Sequence, residues 1–289
     1  MRIQFLSDIH LESWPAQTFD EILDPVAPVL ALLGDVAPLT DPLLPRFLEW
    51  CSERFETILW VPGNQELWES GGYDSSLERM KTFASTYANI IILDKEGMYS
   101  DDGVIILGCP LWYRPHPDVM LHYGGKVWVK PEPMPCHPAL LLKLHEDHSQ
   151  WLSRKLRDVK VPVVILSYYA PLPAFYEEEW VQDPENSLHA PELENLMRPP
   201  VVAWLFGHCH RSIEYMYSWN DTTGQETSVL LTNNPRGYPE EVTGFRRDAV
   251  LRIDPNLYSK SVAEKGAVSW EDLRFLKQKF HQGTFKARN

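Results

Sequence analysis

The chain has 289 residues, 44% of them hydrophobic and 23% charged, a globular composition sufficient for one large α/β domain. Its formal net charge of -13 argues against nucleic acid or an anionic membrane as partner, because phosphate surfaces attract basic proteins. MRIQFLSDIH lacks the apolar core of a signal peptide, no run reaches the roughly 18 apolar residues of a membrane span, and the four cysteines form no CxxC pair, so a reduced cytoplasmic protein is expected.

In chain order, Ile3 to Leu6, Val29 to Leu33, Thr57 to Val61, Ile90 to Leu93, Val104 to Leu107, Val161 to Leu166 and Val201 to Phe206 are short apolar or β-branched runs that predict buried strands. Helical spacing falls between several of them. Pro42 to Phe55 opens with prolines that suit a first turn, and Ser75 to Tyr87 and Ala139 to Val159 are further helices. This alternation predicts an α/β fold. Beyond Phe206 the pattern changes to Ser212 to Tyr217, Ser228 to Thr232 and Ala249 to Ile253, read as a β meander added to a sheet. Trp270 to Phe280 predicts a closing helix. No repeat or low-complexity linker divides the chain, so residues 1–255 are expected to form one domain, with 256–289 a helix and tail packed on it or extending from it.

Polar residues follow the strands at regular places. Asp8 and His10 follow the first, Asp35 the second, Asn64 the third, Tyr168 the strand ending near Leu166, and His208 and His210 the strand ending at Phe206. In open α/β sheets, sites form at the carboxyl ends of strands, so these residues are expected on one rim. Residues i and i+2 of an extended segment share a face, which would aim Asp8 with His10, and His208 with His210, the same way. Carboxylate, imidazole and amide oxygen suit Mn, Fe or Zn better than Ca or Mg. A G-H-x-H run is expected by chance only about 0.02 times in a chain of this composition, so Gly207-His208-Cys209-His210 is the most specific piece.

Other residues invite a functional reading beside a plain one. Trp112, Tyr113, His116 and Tyr169 are candidates for an aromatic substrate pocket in and near the irregular segment Arg114 to Pro138, or for a loop packed on the sheet. Leu172 to Pro191 is a second irregular segment, a lid or an insertion. His145 and His148 lie three apart, as a metal pair or on a solvated helix face. Arg211 and Arg236 offer forked hydrogen bonds to an anionic group, Arg236 being preferred. Cys209 is read as packing and Glu177-Glu178-Glu179 as a solvated face.

The order Asp8-Ile9-His10, Gly34-Asp35, Gly63-Asn64-x-Glu66 and Gly207-His208-Cys209-His210 resembles the calcineurin-like metallophosphoesterase superfamily. The resemblance runs through about residue 255 and includes Thr232-Asn233-Asn234-Pro235-Arg236-Gly237-Tyr238. It implies an α/β/β/α sandwich and a two-metal site of divalent or trivalent ions (Mn, Fe or Zn). Metal one would be held by Asp8, His10, Asp35 and His210. Metal two would be held by Asp35, Asn64, His208 and the residue in the slot of Tyr168. Two such ions about 4 Å apart clamp a phosphorus centre for hydrolysis.

Two positions depart from the family's pattern. Gln65 stands where GNHE carries histidine, and glutamine donates a hydrogen bond but yields no proton, a difference of about 10²–10⁴ in rate where general acid catalysis is needed. Tyr168, in Ser167-Tyr168-Tyr169-Ala170-Pro171, stands where the family has a metal-binding histidine. Metal two is then weak or absent, or Tyr168 ligates ferric iron, or Tyr168 or Tyr169 packs into the vacated space. Both departures fall on the metal-two and leaving-group side. The expected function is a divergent hydrolase of a small phosphoester or related molecule, with Gln65, Tyr168 and Arg236 as catalytic candidates. The alternatives are a repurposed metalloenzyme (elimination, cyclisation or amide hydrolysis) and a non-catalytic scaffold for a partner protein.

Overall fold

The computed structural model describes residues 1–15, 18–67, 72–114, 138–175, 193–220, 224 and 226–254. The expected helix at Trp270 to Phe280, His116, Cys136, the Glu177-Glu178-Glu179 run and most of the irregular segments 114–138 and 172–191 lie outside them.

The elements in order are β1 (Arg2–Leu6), β2 (Val29–Leu33), α1 (Leu43–Ser52), β3 (Thr57–Val61), α2 (Asn64–Leu67), α3 (Tyr73–Ala84), β4 (Ile90–Ile92), β5 (Glu96–Tyr99), β6 (Ile105–Cys109), α4 (Pro138–Leu156), β7 (Val163–Ser167), β8 (Val201–Phe206), β9 (Glu214–Asn220), β10 (Glu226–Asn233) and β11 (Val250–Arg252). They build two sheets, ordered β11-β1-β2-β3-β4 and β5-β6-β7-β8-β10-β9. The strands β1 to β4 pair in parallel, as do β6, β7, β8 and β10, and the edge strands β11, β5 and β9 run antiparallel to their neighbours.

Alternation along the second sheet shows why it is buried on both faces. Ile106, Val164, Leu166, Ala203 and Leu205 join the core shared with the first sheet, α1 and α3. Their neighbours Ile105, Leu107, Val163, Ile165, Trp204 and Phe206 pack on the other side with Trp151 and Leu152 of α4. The result is a four-layer α/β/β/α sandwich. Trp60 and Trp204 are fully buried, and side chains of this kind contribute roughly 1.5–3 kcal/mol or more each.

Three expectations need correction. The late strands are not one meander, because β9 and β10 form a hairpin on the second sheet while β11 crosses to pair with β1 of the first. The strand β5 was not anticipated, since Glu96-Gly97-Met98-Tyr99 is a half-buried edge with no apolar run to announce it. The polar ends do not sit on the rim of a single sheet. Asp8, Asp35 and Asn64 leave β1, β2 and β3, while Tyr168 and His208 leave β7 and β8 of the other sheet. The site therefore lies at the shared end of the sandwich.

Candidate metal centre

The turns that leave the strands are tight. Asp8, His10, Asp35 and His208 have φ of 48°, 49°, 50° and 66°, in the left-handed region. Such residues cost of order 1–3 kcal/mol unless the surroundings hold them, and they gather at functional sites. The shared face expected from extended alternation is thus not what aims these residues. Neighbouring backbone is: Asp8 N–H donates to Gly34 O (2.9 Å), His10 N–H to Asp35 O (3.1 Å) and Gly237 N–H to Asp8 O (2.9 Å).

Asp8, His10 and His210 each place one ligand atom within 4.8 Å of the others. His10 Nδ1 lies 3.1 Å from Glu12 Oε1, and His210 Nδ1 lies 2.6 Å from Glu241 Oε2. These carboxylates assign the proton to Nδ1 in both rings and turn both Nε2 lone pairs inward, 3.2 Å apart. Two lone pairs at that distance repel unless a proton or cation joins them. The set of two imidazoles and one carboxylate, each backed by a second group, fits a transition metal and leaves positions open for water and substrate.

The electrostatics agree. Burial pushes the Asp8 carboxyl up, but His210, His10 and Ser7 more than offset it and hold it below the ordinary range. Burial lowers His10 while Glu12, Asp35 and Asp8 raise it further, so it ends above its usual value. Burial likewise lowers His210, and Asp8 and Glu241 carry it up to about 9. The pocket attracts positive charge.

The second cation position is different. The Tyr168 hydroxyl lies 2.7 Å from Asp35 Oδ2, 2.5 Å from Asn64 Oδ1 and 2.9 Å from His208 Nδ1. Its oxygen thus stands among the three groups that the resemblance assigned to metal two. A metal there would need ligands at about 2.0–2.2 Å, in place of this oxygen. Burial, followed by the Asp35 carboxylate, pushes the phenol well above its ordinary acid constant. Asp35 is also engaged at Oδ1 by the Gln65 N–H (2.9 Å). Burial pushes the Asp35 carboxyl up to about 6 against the pull of His10. His208 and His210, two residues apart, therefore serve different neighbours.

Gln65 sets its amide 3.2 Å from His10 Nδ1 and 3.5 Å from the Tyr238 hydroxyl, with the amide oxygen facing both when the Nδ1 proton is in place, and the Tyr238 ring stacks on His10 at 4.2 Å. The Arg236 guanidinium packs over the Trp14 ring at 3.9 Å and donates to Ile9 O at 3.4 Å, while its backbone N–H donates to Ser7 O at 3.0 Å. Arg236 thus braces the loop between Asp8 and His10. Arg211 donates to the Phe175 carbonyl (2.9 Å). Trp112, Tyr113 and Tyr169 are buried together, with Tyr169 set 5.2 Å from Trp112, 5.1 Å from Tyr113 and 4.6 Å from His208.

His145 and His148 do not lie on a solvated face. Both are buried, and they tie α4 to the exit of β6: His145 Nδ1 pairs with Trp112 O (2.8 Å), and His148 Nδ1 accepts from Leu111 N–H (3.2 Å). Cys209 is buried in the second core, as expected.

Several supporting residues carried no assignment from sequence. Glu66 is fully buried, accepting from Val36 N–H (2.7 Å) at one oxygen and from Asp35 N–H (3.0 Å) and Gly63 N–H (2.8 Å) at the other. It clamps the turn of Asp35 to the turn of Asn64. Asn233 grips the carbonyls of Cys209 and Arg211 (3.1 and 3.0 Å), and Asn234 grips Phe5 O (2.9 Å). The signals for Glu66, Asn233 and Asn234 were their places in the motifs. Glu12 had only its nearness to His10, and Glu241 had none.

Residues 1–212 match the calcineurin-like phosphoesterase family, and the chain belongs to it. The uncharacterized protein L509 of Acanthamoeba polyphaga mimivirus is 25% identical over 285 residues, covering 88% of this chain and 98% of its own. Among solved structures, the phosphopantetheinyl hydrolase of Mycobacterium tuberculosis shares the fold with a TM-score of 0.57 at 20% identity, over 82% of this chain and 89% of that one. Among the described residues, no helix is long and apolar enough to cross a membrane.

Proposed function

We propose that this protein is a metal-dependent hydrolase acting on a small phosphoester or a related small molecule. The convergence of Asp8, His10 and His210, with Glu12 and Glu241 fixing both imidazoles, carries the reading. A bound Mn, Fe or Zn ion would supply Lewis-acid polarisation of the ester. Asp8 and the two imidazoles would hold it, while Asp35, the fourth ligand that the resemblance implies, is engaged by the Tyr168 hydroxyl and the Gln65 N–H. Asp35, Asn64 and His208 shape the adjoining wall through Tyr168. Tyr169, backed by Trp112 and Tyr113, is proposed to support the apolar side of the site through its contact with His208. Arg236 acts through the Asp8–His10 loop that it braces. Gln65 orients groups beside His10 but delivers no proton, so esters with good leaving groups are favoured.

The test is hydrolysis of 4-nitrophenyl phosphate and its bis-ester by metal-depleted protein, before and after adding Mn, Fe or Zn. Metal should restore turnover. Asp8→Asn and His210→Ala should each lower it by more than about 100-fold, beyond the 10–100-fold typical of a supporting residue. Turnover indifferent to chelation or to both variants would refute the proposal.

A further inference from the structure

Resting on that reading, we infer that the Tyr168 hydroxyl replaces the second cation, so that the chain holds one transition-metal ion, at Asp8, His10 and His210. The inference comes from where the oxygen is. A histidine side chain reaches about 2 Å less far than a tyrosine hydroxyl, and a metal–imidazole bond spans about 2.0–2.1 Å. A tyrosine in a metal-binding histidine's place therefore carries its oxygen to the point the ion would take. The contacts match: Asp35 Oδ2, Asn64 Oδ1 and His208 Nδ1 surround the oxygen at 2.7, 2.5 and 2.9 Å.

The hydroxyl can satisfy this ring of groups as a hydrogen-bonding centre. It donates its proton to the Asp35 carboxylate and accepts from His208 when Nδ1 carries hydrogen. The Asn64 Oδ1 at 2.5 Å is a second acceptor that shares the same phenolic proton. The ring is also held sterically. An added Cβ at Gly34 would come within 2.2 Å of Tyr168 Cδ2, so the aromatic ring lies directly on the turn that carries Asp35. The Tyr169 and His208 rings, 4.9 and 5.1 Å from the Tyr168 ring, close other sides. Ejecting the phenol to admit an ion would leave a bulky buried ring without a place.

The experiment is metal counting on the full chain. Wild type and Tyr168→His are metal-depleted, reloaded with excess Mn(II), freed of unbound ion and measured by elemental analysis and electron paramagnetic resonance. Wild type should hold one Mn per chain with the spectrum of an isolated ion. Tyr168→His should gain a second ion and the signature of a spin-coupled pair. Two ions in wild type would overturn this inference and leave the hydrolase reading standing. No ion in wild type would overturn both. Wild type reloaded with iron supplies a measurement that does not depend on the variant folding. A visible tyrosinate-to-ferric band, lost in Tyr168→Phe, would make Tyr168 a ligand and overturn the inference, and its absence supports the phenol as a neutral occupant.

Discussion

Replacing Glu66 by glutamine changes no shape and tests whether the site is held by one buried carboxylate. Glu66 takes three backbone N–H donors, at 2.7, 3.0 and 2.8 Å. Glutamine retains one acceptor oxygen. Turned to keep Asp35 N–H and Gly63 N–H, it sets an NH₂ donor against the Val36 N–H. The lost charge-assisted bond costs about 1.5–3 kcal/mol, and weakening the remaining two from ionic to neutral costs about 1 kcal/mol more. Burial and the adjacent Asp35 carboxylate push Glu66 up to about 8, so the comparison is made at about pH 9, where the ionised form that the three donors favour is present and removing its charge returns part of the burial cost. The net expectation for Glu66→Gln is a loss of about 2 kcal/mol, or roughly 4–8 °C in melting temperature. The Asp35 and Asn64 turns would loosen with it. Urea unfolding of metal-free protein measures the first effect, and competition with a chelator should show at least about tenfold weaker metal binding. Stability within about 0.5 kcal/mol of wild type together with unchanged affinity would refute the clamp.

Gly34→Ala should give little soluble protein, because φ is +84° and the added methyl would meet the Tyr168 ring at 2.2 Å; a normal yield and melting temperature would contradict that packing. Glu241→Gln should weaken metal binding about 10–100-fold with little change in the unfolding of metal-free protein, read by chelator competition and denaturation. Gln65→His should speed hydrolysis of poor leaving-group esters more than of 4-nitrophenyl esters, and an equal effect on both would argue against a missing proton donor. Asp94 supplies a pH test away from the metal. Burial raises its carboxyl, but His148, Lys81 and Lys95 hold it below the ordinary value. Its contribution is present above about pH 4 and is lost as pH falls through the depressed value. The stability gap between wild type and Asp94→Asn should therefore be largest near neutrality and narrow in acid; a gap that does not vary with pH would exclude this origin.

Local chemistry is what a chain displays directly. Apolar runs such as Val29–Leu33 and Val201–Phe206 marked their strands, because burial on both faces leaves no room for polar residues. The residues after those runs marked candidate ligands, because parallel strands deliver their carboxyl ends to one side. Spacing misled where the backbone leaves extended geometry. Asp8 and His10 converge through left-handed turns rather than through alternation. His145 and His148 read as surface residues until the exit of β6 came to rest on them. Glu241 could not be paired with His210 from sequence, since nothing local joins them.

Tyr168 shows the division most clearly. The substitution itself, and its flanking Ser167 and Ala170-Pro171, were legible in the chain. Three outcomes for that phenol were compatible with the letters. Asp35 and Tyr168 are 133 positions apart, and β2 and β7 belong to different sheets. Only the packing of one sheet on the other sets the depth of the ring, and with it the place of a single oxygen. Element type follows from periodicity along the chain, whereas a bond between two sheets depends on how whole layers meet.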